Sequence, residues 1–168
     1  MTSMPLVTVA IPTYNRAELL ANSIQSVLKQ DFTDLRILIL DNASTDNTRE
    51  VVQAIDDPRI EYARSETNIG LFRNWNRALQ LNSSPYLCLL QDDDELLPDF
   101  VSQSVTALNE NSSAAFTYTN TRFIDLAGEP LHRQELKQAA AGKISGLDLL
   151  HQIVTGDNWV IHASCLLY

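Results

Sequence analysis

The sequence predicts an α/β fold, a three-layer sandwich around a mostly parallel central sheet, and three observations point to it. Short, β-branched apolar runs alternate with segments of helical period through the first half of the chain. Such alternation implies right-handed crossovers and parallel strands. The runs are apolar enough to be covered on both faces, as strands of a parallel sheet are. The chain has 168 residues, 45% hydrophobic and 20% charged, with five glycines and 7% aromatic residues. That length buries a sizeable core without disulfide staples.

The elements follow in order. Leu6–Ile11 reads as a buried strand ending at Pro12. Asn15 offers an N-cap with Glu18 three residues later, a capping-box pattern. Leu19, Leu20, Ile24, Val27 and Leu28 then give Arg16–Lys29 one apolar face. Leu35–Leu40 is a second strand, running into the turn Asp41-Asn42-Ala43-Ser44. Ser44 or Thr45 is positioned to cap a helix carrying Val51, Val52 and Ile55. Asp57-Pro58 ends that helix, and Ile60–Ala63 is a third strand. After the turn Asn68-Ile69-Gly70 comes a helix from Leu71 to about Leu81, with Leu71, Trp75, Ala78 and Leu79 on one side. Tyr86–Leu90, a fourth strand, stops at Asp92-Asp93-Asp94-Glu95. Pro98 opens a helix with Phe100, Val101, Val105 and Leu108 inward. Ala114–Asn120 reads as a strand, Ala127–Ala141 as a mobile loop, Ser145–Val154 as a helix and Ile161–Tyr168 as a last strand. No internal repeat is visible.

The formal charge is −9 and the two cysteines, Cys88 and Cys165, lie in apolar stretches. Buried small hydrophobes are the expectation for both. So acidic a surface repels nucleic acid and anionic lipid at long range, which argues against a nucleic-acid partner. No stretch reaches the roughly 20 apolar residues of a membrane span, and no basic region precedes an apolar run at the start. A cytoplasmic protein is the expectation.

Ligands on parallel sheets bind beyond the carboxyl ends of the strands. Three polar turns follow strands directly: Pro12–Arg16, Asp41–Asp46 and Gln91–Glu95. All three should gather at one rim. Three adjacent carboxylates raise one another's pKa, a conflict that a divalent cation removes. Mg²⁺ and Mn²⁺ favour such oxygen ligands, with substrate phosphates completing the shell. The cluster reads equally, by itself, as a solvated turn before a helix N-terminus. Tyr14 could stack on a planar base, and Arg64, Arg73 and Arg77 are the nearest cations for a diphosphate. A dehydrogenase is excluded by the lack of a Gly-x-Gly-x-x-Gly turn after the first strand. A phosphoesterase lacks a nucleophile or a His-rich metal set.

Together the turns resemble the family 2 glycosyltransferases of the Rossmann-like GT-A fold. Val7-Thr8-Val9-Ala10-Ile11-Pro12-Thr13-Tyr14-Asn15-Arg16 is similar to the family's V-S-V-I-I-P-T-Y-N-R opening. Ile39 to Thr48 resembles its V-D-D-G-S-T-D-G-T turn, and Asn68-Ile69-Gly70 with Arg73 and Asn76 its N-x-G…R-N segment. Gln91 to Pro98 looks like its D-x-D-D-x-x-x-P, with Gln91 where the family often has the first Asp.

The resemblance implies one domain over 1–168, with 1–108 the nucleotide-binding half and 109–168 the start of an acceptor half. It implies a nucleotide-diphosphate sugar held by Pro12, Thr13, Tyr14, Asn15, Arg16, Asp41, Asn42, Asn68, Gly70, Arg73, Gln91 and Asp92. Asp93, with Asp94 beside it, takes the place of the Mn²⁺ or Mg²⁺ ligands. The sugar would pass with inversion to a glycan or lipid-linked acceptor hydroxyl, as in cell-surface polysaccharide biosynthesis. The work would be cytoplasmic, with the inner face of the membrane as a peripheral station. The general base is expected beyond Tyr168, since no acidic residue follows Asp157. Asp157 is a weak substitute, and His162 could line the acceptor side. The chain therefore reads as a truncated enzyme that binds donor but lacks its base. The alternative is a catalytically inactive nucleotide-sugar-binding or interaction module of the same fold.

Overall fold

A computed structural model describes residues 4–125, 128–131, 142–155, 164 and 166–168. The elements run β1 (Val7–Thr13), α1 (Ala17–Leu28), β2 (Leu35–Asp41), α2 (Thr48–Gln53), β3 (Ile60–Arg64), α3 (Leu71–Leu81), β4 (Tyr86–Leu89), α4 (Phe100–Glu110), β5 (Thr117–Tyr118), α5 (Gly146–Thr155) and β6 (Leu166–Leu167). Four strands form a parallel sheet in the order β3-β2-β1-β4. β5 and β6 pair antiparallel. Leu87 and Tyr168 exchange two backbone hydrogen bonds, which join this small pair to the β4 edge.

The pleat sorts the side chains into two cores. Val7, Val9, Ile11, Ile37 and Ile39 face one side, against Leu20, Ile24 and Val27 of α1, Val52 of α2 and Phe100, Val101, Val105 and Leu108 of α4. Ala10, Leu38, Leu40, Leu87 and Leu89 face the other side, against Ala78 and Trp75 of α3. Every residue of β1 is buried, because a central parallel strand has helices on both faces. Cys88 is buried in the first of these cores.

Three local expectations need correction. Asn15 does not cap α1: its backbone is left-handed, with φ 54°, and the N-cap position is Arg16, without a side-chain cap. The first turn of α1 is served from another loop, by Asp46 Oδ2 accepting from the Ala17 N–H at 3.1 Å. Nor do Ser44 or Thr45 cap α2; Asp46 Oδ1 accepts from the N–H and the hydroxyl of Thr48. On α3, Trp75 and Ala78 pack on the sheet as expected, but Leu71 and Leu79 are exposed and Asn74 is buried. Packing through small Ala78 brings the helix close to the sheet, and Asn74 Nδ2 donates to the Leu40 carbonyl at 2.7 Å.

The segment expected as a loop from Ala127 turns back on itself where it is described. Ile124 and Pro130 form an antiparallel bridge, and the Leu131 N–H donates to the Phe123 carbonyl. Cys165, Asp157, Trp159 and His162, with the rest of that loop and 161–163 of the last strand, lie outside the described residues.

Candidate functional site at the carboxyl rim of the sheet

The parallel register carries the polar turns to one rim. Thr13, the last residue of β1, lies opposite Asp41, the last of β2, which lies opposite Arg64, the last of β3. Side chains then stitch these turns together. The Asn15 N–H donates to Ser44 Oγ at 3.0 Å, and Asn15 Oδ1 accepts from the Thr45 N–H at 2.7 Å. Asn42 Nδ2 donates to Asn68 Oδ1, Asn42 Oδ1 accepts from the Ile69 N–H, and Asn68 Oδ1 accepts from the Gly70 N–H, each at 2.9 Å. Gly70, with φ 84°, starts α3 from a left-handed conformation that glycine tolerates.

Ala43 occupies the same left-handed region, with φ 66°, a conformation costing a residue with a Cβ about 1–2 kcal/mol. Ala43→Gly should relieve that cost and give back part of it as added freedom of the unfolded chain. A net stabilisation of about 0.5–1 kcal/mol is expected, read as a small rise in melting temperature.

Asp41 is fully buried. Its Oδ1 accepts from the Ser44 N–H at 2.8 Å, and its Oδ2 from Arg64 Nη1 at 2.6 Å and from the Tyr62 hydroxyl. Burial alone would raise its pKa, but the hydrogen bonds from Ser44, Tyr62 and Arg64 outweigh it and hold the carboxyl below its usual value. Arg77 is also spent internally, on Ser65, Asn74 and the Ala63 carbonyl, and burial lowers its pKa. Of the three arginines expected near a diphosphate, Arg73 stands exposed on α3, while Arg64, exposed at the end of β3, is paired with Asp41. Tyr14 is 43% exposed at the rim, its ring open to a ligand. Pro12 is buried in β1 opposite Leu40.

The acidic turn closes the rim. Asp92 is buried and Asp93 is exposed, and Arg16 Nη1 reaches both, at 3.2 and 2.8 Å. Burial pushes the Asp92 pKa up; the Arg16 guanidinium beside it opposes that, and the Asp93 charge adds to it. Asp94 turns away, accepting from Ser164 Oγ at 2.5 Å. Ser164 Oγ in turn accepts from the Gln91 N–H at 3.0 Å.

The residues that hold this turn were missed by motif reading. Ser23 Oγ donates to the Asp94 carbonyl at 2.7 Å, Ser26 Oγ accepts from the Leu96 N–H at 3.0 Å, and Gln30 Oε1 accepts from the Val101 N–H at 3.0 Å. Gln30 Nε2 also donates to the Leu97 carbonyl at 2.7 Å. All three lie on the buried face of α1 or just after it, and a polar stripe at that spacing on an otherwise apolar face was the available signal.

Residues 8–166 match the family described as glycosyl transferase family 2. The chain belongs to glycosyl transferase family 2. Among its relatives in that family, the GalNAc(5)-diNAcBac-PP-undecaprenol beta-1,3-glucosyltransferase of Campylobacter jejuni is 39% identical over 116 residues, which are 67% of this chain and 38% of that protein. The chondroitin synthase of Escherichia coli is 35% identical over 127 residues, 74% of this chain and 18% of that protein. The chain thus spans less than half the length of these family 2 relatives. The mannosyltransferase PcManGT from Pyrobaculum calidifontis, solved with GDP-Man and Mn²⁺, superposes with a TM-score of 0.64 at 25% identity, over 72% of this chain and 37% of that one. S. aureus TarS 1-349 in complex with UDP gives 0.62 at 22% identity, over 71% and 38%, a likeness of fold. The sheet and its helices are those of the GT-A glycosyltransferases.

Proposed function

We propose that this chain binds a nucleotide-diphosphate sugar with Mn²⁺ or Mg²⁺ and takes part in moving the sugar, with inversion, to a hydroxyl of a glycan or lipid-linked acceptor. The observation that carries the reading is the meeting of Asp92, Asp93 and Arg16 at the rim that also holds Tyr14 and the Asp41–Asp46 turn. Residues 1–108 are the donor-binding half in this reading, and 109–168 begin the acceptor half.

The donor set fits a hard divalent cation. Asp93 offers an exposed carboxylate beside the buried Asp92, whose pKa burial has already raised, and one guanidinium nitrogen serves both. Among the described residues no three Asp, Glu, His or Cys side chains close around a metal on their own. That suits an ion whose shell is completed by phosphate oxygens. When bound, the ion supplies stabilisation of the negative charge that builds on the departing diphosphate. Tyr14 offers a face to the base, and the cross-linked turns around Asn15, Asn42 and Asn68 keep the rim rigid before a ligand arrives. Arg73 and Arg16, both exposed, are the cations this reading assigns to the diphosphate.

The acceptor's proton needs a carboxylate on the acceptor side, and none of the described residues is assigned that part. Among the described residues no helix is long and apolar enough to cross a membrane. The C. jejuni relative is named for an undecaprenol-linked substrate. A cytoplasmic reaction, with a peripheral place at the inner membrane face and in the service of cell-surface polysaccharide, is the setting this reading takes from that lipid-linked relative.

Thermal melts with UDP, GDP and dTDP, each with and without Mn²⁺, test the reading. A ligand at 100 times its Kd adds about 2.7 kcal/mol to the folded state. For a chain of this size that is a rise of about 5–10 °C. One nucleotide should give that rise with the metal and little without it. No rise with any nucleotide in Mn²⁺ or Mg²⁺ would sink the proposal.

A further inference from the structure

We infer that Ser164 is a positioning residue for the acidic turn, and that it divides the work of three consecutive aspartates. The inference rests on the donor-site reading above and deepens it. Ser164 is buried and comes from the other end of the chain, 73 residues after Gln91 and 70 after Asp94. Its single hydroxyl does two things at once. It accepts from the Gln91 N–H at 3.0 Å and donates its own proton to Asp94 Oδ2 at 2.5 Å. The turn is already closed locally by the Asp94 N–H donating to the Gln91 carbonyl at 3.2 Å, and fastened to α1 by Ser23. Ser164 adds what neither bond supplies, a fixed direction for the Asp94 carboxylate.

The consequence is a sorting of roles among neighbours of identical chemistry. Asp94 is tied back to Ser164, whereas the Asp93 carboxylate lies on the Arg16 side with Asp92. Asp93 is then the carboxylate for the cation, and Asp94 is a strut rather than a second ligand. Ser164 thereby sets the geometry of the donor site from the acceptor half, just ahead of β6, whose following residue Tyr168 is bonded to Leu87 of β4.

The test compares Ser164→Ala, Ser164→Thr, Asp94→Asn and Asp93→Asn. The measurement is the Kd of whichever of UDP, GDP or dTDP the unaltered chain binds best, by calorimetry with and without Mn²⁺. Ser164→Ala should weaken metal-assisted binding about tenfold while leaving metal-free binding within about twofold, the scale of one lost hydrogen bond to a charged group. Ser164→Thr, which keeps the hydroxyl, should restore it. Asp94→Asn retains an oxygen that can accept from Ser164 and should lose far less than Asp93→Asn. A merely structural serine would move both affinities together. If Asp94→Asn abolishes the Mn²⁺ effect as fully as Asp93→Asn, or Ser164→Ala leaves that effect intact, the inference is overturned and the donor reading survives. If the unaltered chain binds none of the nucleotides, the donor reading itself falls, and this inference falls with it.

Discussion

Asp93→Ala is expected to abolish the nucleotide-dependent rise in melting temperature that Mn²⁺ produces, a loss of about 5–10 °C of stabilisation under saturating ligand. The unliganded melting temperature should move by less than about 4 °C, because an exposed ion pair contributes about 0–1 kcal/mol. Asp93 lies on the surface with Arg16, and each side chain is about half exposed, at 47% and 50%. The two halves of the prediction pull apart two roles that one aspartate could have. A carboxylate needed for the fold would change the melt of the free chain. A carboxylate needed for a cation would change only the increment that metal adds. Asp92→Ala is the contrasting control: its side chain is 9% exposed and touches Arg16 from the inside. A full Mn²⁺-dependent rise in Asp93→Ala would remove the metal from this residue.

Much of this site could be read from the chain before any coordinates. β1 and β2 announce themselves as β-branched apolar runs, and the placing of Asp41 at a strand end and of Asp93 beyond one follows from parallel topology alone. What could not be read was the division of labour within the acidic run. Asp92, Asp93 and Asp94 are alike in sequence; they differ because Arg16 lies 76 residues from one and Ser164 lies 70 from another. Local pattern carries no information at that range. Capping failed for a related reason. Asn15 and Glu18 form a plausible box, but Asn15 is drawn into a left-handed bend by its bonds to Ser44 and Thr45 across the rim. Asp46 then serves both α1 and α2. On α3 the expected side holds at Trp75 and Ala78 but not at Leu71 and Leu79, because periodicity favours large apolar residues whereas close approach to the sheet favours small ones. Asn74 takes a place beside Ala78 in that contact, leaving Leu71 and Leu79 exposed.

Asp41→Ala should be the most destabilising single change at the rim, by about 3 kcal/mol at pH 7. A chain of this size would then melt about 6–12 °C lower. The side chain is wholly buried and accepts three hydrogen bonds, one of them from Arg64, which keeps 30% of its own surface in water. That exposure lets the orphaned guanidinium rehydrate, which limits the loss; Tyr62, whose pKa is raised by burial and by its bond to Asp41, has less relief. The sign of the pH dependence follows from the lowered pKa. Asp41 binds its proton less readily folded than unfolded, so its contribution is complete above the ordinary value of 3.8 and is lost as pH falls through the folded value. The gap in melting temperature between the unaltered chain and Asp41→Ala should therefore hold steady down to about pH 5 and narrow below it. A gap that stayed constant into strong acid would mean that the carboxylate charge contributes nothing. The result also bears on the donor. With both oxygens committed to Ser44, Tyr62 and Arg64, Asp41 shapes the turn that a nucleotide would meet. Loss of nucleotide binding in Asp41→Ala with an unchanged melt would instead make it a direct contact.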